Sequence, residues 1–125
     1  MRALLWIPAC AQMALIFAAS AVPGTDLPGH LWDKLVHLIV YAMLGLLFLL
    51  PLSGGRFSGV TLRAAAVAIV LSFLYGVSDE LHQTFVPNRT PDVMDVVADT
   101  FGATVGVLFV WACRLAAARL RPDAG

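Results

Sequence analysis

The sequence predicts an all-α fold, an integral membrane bundle of four transmembrane helices with both termini in the cytoplasm. Three observations carry this. Hydrophobic residues make up 60% of the 125-residue chain, charged residues 13%, and mean hydropathy is +0.86. One soluble core of this size could not hide that much apolar surface. Four stretches reach or approach the ~20 mostly apolar residues that a crossing helix needs. Lys and Arg are also distributed unevenly between the two sides that these stretches define.

The helices are expected at about 3–22, 35–52, 60–85 and 91–118, all within one transmembrane domain spanning 1–125. Pro23, Gly24, Pro28 and Gly29 break the chain after the first. Arg2, the apolar run and Ala18-Ala19-Ser20 also have the features of a cleaved signal peptide. The run is longer than a usual signal core and contains Pro8, so a retained helix is expected. Pro51, Gly54, Gly55 and Gly59 end the second helix, and Pro87, Asn88 and Pro91 separate the third from the fourth. Thr90 followed by Pro91 has the form of an N-cap and first helical residue. Short connections imply that successive helices pack antiparallel. Cys10 and Cys113 are expected to be free, buried thiols.

Arg2, Arg56, Arg63, Arg114, Arg119 and Arg121 lie on one side, and only Lys34 and Arg89 on the other. The positive-inside rule puts the arginine-rich side in the cytoplasm. Asp26, Asp33, Asp79, Glu80, Asp92, Asp95 and Asp99 are then external, with Asp123 internal. The formal net charge of zero therefore hides a strong polarity. It offers no nucleic-acid surface; the inner arginines are accounted for by topology and anionic lipid.

The segment Ser78 to Thr100 holds five of the eight acids beside His82, Gln83 and Arg89. Ionisable groups inside or at the edge of membrane-length helices mark functional sites by default. In the second helix Asp33, His37 and Tyr41 follow i, i+4, i+8 spacing and share one stripe. At the end of the third, Tyr75, Asp79 and His82 or Gln83 share a face, with Glu80 beside it. Adjacent carboxylates at a helix C-terminus are costly unless a cation, an arginine or a proton relieves them. In the fourth, Asp92, Asp95, Asp99, Gly102 and Gly106 form one stripe. Gly102 and Gly106 make a small-xxx-small motif that lets another helix approach, including one from a second copy. Arg89 is a natural partner for carboxylates or a clamp for an anionic head group.

Asp33-Lys34-x-x-His37-x-x-x-Tyr41, then Ser78-Asp79-Glu80-x-x-Gln83-x-Phe85-x-Pro87-x-Arg89, then Asp95-x-x-Ala98-Asp99-Thr100-x-Gly102-Ala103-x-x-Gly106 resembles the VanZ-like membrane protein family. The resemblance spans roughly residues 30 to 110, in the family's order. The family often has Gly where Asn88 stands and Asn where Asp99 stands. It takes its name from a glycopeptide-resistance cluster whose member is linked to teicoplanin resistance. For this chain the resemblance implies a cell-envelope role in a bacterial cytoplasmic membrane and carries no catalytic assignment.

The expected function is binding of an envelope lipid or glycopeptide-like ligand in an outward-facing acidic pocket. Asp33, His37, Tyr41, Asp79, Glu80, Gln83, Arg89, Asp95 and Asp99 would line it. The alternatives are an intramembrane hydrolase or transferase acting on a lipid-linked substrate, and a structural accessory protein. In the enzyme reading His37 is the general base, held by Asp33, with Glu80 a further catalytic candidate. Asp79, Glu80 and Asp95 are the candidates for gathering a divalent cation. No nucleophile elbow, H-E-x-x-H or P-loop spacing is present.

Overall fold

A computed structural model describes residues 1–24 and 30–120. Asp26, Pro28, Gly29, Arg121 and Asp123 lie outside the described residues. The described elements are helical throughout: α1 (Ile7–Ser20), α2 (His30–Leu52), α3 (Leu62–Gln83) and α4 (Val93–Arg119), with short 3-10 segments over Arg2–Trp6 and Phe57–Gly59. Among the described residues, four helices are long and apolar enough to cross a bilayer, the first counted from Arg2 through Ser20.

Local chemistry sets the ends. Proline lacks an N–H and its ring crowds the preceding turn. Pro8 accordingly sits at the start of α1, and the residues before it wind as a 3-10 segment. α2 begins earlier than expected, at His30, so Asp33 lies in its first turn. It ends where Gly54 and Gly55 adopt positive φ, and the Gly55 N–H closes back on the Leu50 carbonyl. Thr61 caps α3 by accepting the Ala64 N–H at 3.1 Å. α4 starts later than Thr90-Pro91 suggests. Asp92 is its N-cap, accepting the Met94 N–H at 2.8 Å. A carboxylate reaching the free N–H of the first turn outcompetes the Thr-Pro signal two residues upstream.

Partner residues advance together along α2 and α4. Lys34 meets Asp92 and Asp95, His37 meets Asp99, Leu38 faces Gly102, and Ala42 faces Gly106. The two helices are therefore parallel and form the most extensive interface in the bundle. α1 and α3 are parallel to each other: the Tyr75 hydroxyl donates to the Met13 carbonyl, and Phe17 stacks on His82, one turn further along α1 and two along α3. α3 runs opposite to α4, with Glu80 meeting Asp92 and Gly76 beside Asp99. This is the antiparallel succession that short connections require.

The buried apolar residues include Tyr41, Leu44, Phe48, Ala65, Ala68, Ala103 and Val107. Ala68, Ser72 and Gly76 make a small-residue stripe on α3, and the Ser72 hydroxyl returns to the Ala68 carbonyl. Many large apolar side chains point outward, among them Ile39, Met43, Val70, Phe73, Phe101, Val105 and Phe109. The buried set meanwhile includes Asp79, Glu80, Gln83, Asp95 and Asp99. Apolar outside and charged inside is the pattern of a chain solvated by lipid.

Cys10 and Cys113 are exposed, not buried. A bundle of so few helices turns most of each helix outward, and an apolar thiol is as compatible with lipid as with the core.

Candidate functional site

The polar residues of α2, α3 and α4 meet at one end of the bundle, where α1 and α3 finish and α2 and α4 begin. Close approach of α2 to α4 makes this possible. A Cβ added at Gly102 would run into the Leu38 carbonyl, and one at Gly106 would lie 3.2 Å from that of Ala42. The small-xxx-small motif considered for self-association thus faces α2 of the same chain.

One turn above the Gly102 contact, His37 Nδ1 lies 2.8 Å from Asp99 Oδ1. With Asp99 ionised the carboxylate can only accept, and the ring nitrogen donates. Asp99, not Asp33, holds the imidazole. His37 Nε2 lies 3.9 Å from Asp95 Oδ2, too far for a hydrogen bond. A further turn up, the Lys34 ammonium donates to Asp92 Oδ2 at 2.6 Å and to Asp95 Oδ1, with Asp33 Oδ2 at 3.8 Å. One lysine thus draws together carboxylates from two helices. Asp99 is fully buried and lies about 9 Å along the axis from the start of α4.

α3 joins through Glu80, whose Oε2 accepts the Asp92 N–H at 2.8 Å while Oε1 accepts from Gln83 Nε2 at 3.2 Å. Gln83 also donates to Asp79 Oδ2 at 3.3 Å. This amide relieves the Asp79–Glu80 adjacency that the sequence flags as costly. Gly76 leaves room for Asp99 and Tyr41, since a Cβ there would sit 2.9 Å from Asp99 Oδ2 and 3.4 Å from Tyr41 Cε1. The Tyr41 hydroxyl, Asp79 Oδ1, Asp99 Oδ2 and His82 Nδ1 are buried without a hydrogen-bond partner among the described residues.

A cavity of about 220 Å³ opens between α1, α2 and α3. Ile16, Ala19, Val36 and Val40 form an apolar wall; Asp33, His37, Tyr41, Asp79 and Gln83 give it a polar face, with Ser20 and Arg89 also lining it. Arg89 donates from Nε to the Val22 carbonyl at 3.1 Å and from Nη2 to that of Ala19 at 3.2 Å. It thereby satisfies carbonyls at the end of α1 and pins the α3–α4 turn there. The anion-clamp and carboxylate-partner expectations for Arg89 do not include this docking role.

All nine residues expected to line a ligand site thus gather at this end of the bundle. Asp33, His37, Tyr41, Asp79, Gln83 and Arg89 face the cavity, while Glu80, Asp95 and Asp99 stand behind it in the hydrogen-bond network. Of the residues expected to gather a cation, Asp79 and Glu80 engage Gln83, and Asp95 instead approaches Asp33 and His37. Sequence reasoning missed two features. Lys34 is the bridge between α2 and α4, a role open to it as the one basic residue on the 34, 37, 41 face. The α1 wall carries no polar signal apart from Ser20.

The fold and site define a class: a polytopic helical membrane protein with a buried, charge-dense site at one end of its bundle. The VanZ/LLP1 family model matches residues 5–114, nearly the whole chain and all four helices. The chain belongs to that family. No curated protein and no solved structure matches it.

Proposed function

We propose that this protein is a binding protein of the cell envelope that holds the polar head of a lipid or lipid-linked molecule in the cavity between α1, α2 and α3. One observation carries the reading. The cavity joins an apolar wall to a polar face on which the Tyr41 hydroxyl and Asp79 Oδ1 are buried and unpartnered. Such groups are costly to leave unmade, and a ligand offering hydroxyl or amine donors satisfies them. Its acyl chain would lie along Ile16, Val36 and Val40. At about 220 Å³ the space suits a head group rather than an entire glycopeptide, which would engage through one arm.

The arginines support the orientation. Arg2, Arg56, Arg63, Arg114 and Arg119 gather at the opposite end from the site. The positive-inside rule then puts both termini in the cytoplasm and the cavity toward the outer leaflet.

Native mass spectrometry of protein extracted from its membrane tests the reading. Wild type should retain a co-purified lipid that Tyr41→Phe and Asp79→Asn lose in part or whole. Equal occupancy in all three would sink it.

The Asp99–His37 pair favours a second reading, an intramembrane hydrolase or transferase. A cavity-lining imidazole oriented by a buried carboxylate is the arrangement of a general base. Turnover of an envelope lipid by pure protein, abolished in His37→Gln, would establish it. A purely structural accessory role predicts instead that cavity variants leave the cell unchanged.

A further inference from the structure

The geometry points to a divalent transition-metal site formed by Asp33, His37 and Asp95 at the edge of the cavity. One ligand atom from each lies within 4.8 Å of the other two. The His37 Nε2 to Asp95 Oδ2 gap of 3.9 Å is too long for a hydrogen bond. It is close to the separation of two donors on one ion, about 3–4 Å for bonds of ~2.1 Å. Small side-chain movements would bring Asp33 in as well.

Three features set this apart from a chance acidic cluster. The first is the support behind the histidine. His37 Nδ1 lies 2.8 Å from Asp99 Oδ1, which holds the ring so that Nε2 is turned toward Asp95. A carboxylate holding the far nitrogen is the usual backing of a metal-binding histidine and raises its basicity. Asp99 is fully buried, so the support is rigid.

The second is charge. Asp33 and Asp95, the two carboxylates of the site, both approach the Lys34 ammonium, which is shared with Asp92, while Asp99 pairs with His37. Lys34 holds Oδ1 of Asp95 and leaves Oδ2 toward His37. One shared ammonium does not neutralise two carboxylates in a region where ionised groups need compensation, and a divalent cation supplies the balance.

The third is Asp79. It is 4% exposed, lines the same cavity as Asp33 and His37, and its Oδ1 has no partner. It offers an acceptor for a metal-bound water. One imidazole and two carboxylates suit Zn²⁺ or Mn²⁺ better than Mg²⁺, which favours an all-oxygen shell. Three protein donors leave coordination positions open to the cavity.

The test uses full-length protein in detergent with Cys10→Ser and Cys113→Ser, because both thiols are exposed and would bind metal themselves. After chelator treatment, Zn²⁺, Mn²⁺ and Mg²⁺ are titrated separately by calorimetry, and Co²⁺ uptake is followed by visible absorption. One equivalent of Zn²⁺ or Mn²⁺ should bind. His37→Gln and Asp95→Asn should abolish uptake, and Asp99→Asn should weaken it about 10- to 100-fold without abolishing it. Asp33→Asn alters a partly exposed residue, so it gives a folded variant if the others fail; its affinity should also fall. Wild type with no stoichiometric Zn²⁺ or Mn²⁺ overturns the site. So does uptake that is unchanged in folded Asp33→Asn and His37→Gln.

Discussion

Replacing Gly102 with alanine tests the feature on which the whole site depends. In an isolated helix the change is favourable by about 1 kcal/mol, because glycine is the poorer helix former. Here the new methyl would enter the space of the Leu38 carbonyl. A backbone group cannot rotate away as a side chain can, so α2 has to retreat by about an ångström to restore ordinary contact. Overpacking of this kind costs about 1–3 kcal/mol. With a backbone neighbour the upper end applies, and subtracting the propensity gain leaves a net loss of about 2 kcal/mol. The shift also opens the adjoining rung, where His37 meets Asp99 at 2.8 Å.

The assay is reversible unfolding in detergent, with a graded series as its internal control. At Gly106 the new Cβ would lie 3.2 Å from the Ala42 carbonyl, so α2 needs to give by only a few tenths of an ångström. At Gly45 the nearest atom is the Val107 Cγ2 methyl at 2.9 Å, which a rotamer change can move. Gly102→Ala should therefore be the most damaging of the three. Wild-type stability in Gly102→Ala, or greater damage in Gly106→Ala, would refute the claim that this crossing sets the α2–α4 distance.

Two further predictions concern the ends of the site. Lys34→Met should destabilise by about 2 kcal/mol, between the ~0–1 of an exposed ion pair and the ~3–5 of a broken buried one, because the lysine is 26% exposed and Asp95 only 8%. A double-mutant cycle with Asp95→Asn should give a coupling of at least about 1 kcal/mol, and simple additivity would remove Lys34 from its bridging role. Asn88 has a φ of +60°, a conformation that glycine adopts without strain and asparagine only tolerates. Asn88→Gly should be neutral or stabilising by up to about 1 kcal/mol and Asn88→Val clearly destabilising, as thermal unfolding would register.

Asn88 also illustrates what the sequence can and cannot reveal. Glycine at this position in the resembling family is a conformational clue, and the positive φ accounts for it. The four spans were legible because lipid imposes a length and an apolar composition that few other environments require. The 33, 37, 41 and 92, 95, 99 stripes were legible because helical periodicity is fixed before any packing occurs. Pairing between stripes was not. Asp33 sits one turn from His37 on the same helix and is its natural local partner, yet Asp99 takes the imidazole from across the interface. Spacing along one helix carries no information about how far a neighbouring helix is shifted along its axis.

That shift is set by the Gly102–Leu38 contact, and the polar pairing follows from it. With α2 and α4 parallel and locked there, Asp99 is one turn toward the polar end from Gly102, and His37 immediately precedes Leu38. Asp95 and Asp92 come next on α4, and Lys34 comes next on α2. An apolar, close-packed contact thus fixes the register, and ionisable groups are stacked above it in order of depth. The deepest pair is the most buried and the shallowest the most exposed, as the desolvation cost of charge requires. Slipping α4 by one turn would put Asp99 opposite Lys34 and leave His37 facing Gly102, with no acceptor. The glycine contact and the charge ladder therefore specify the same register, so disrupting either should loosen both.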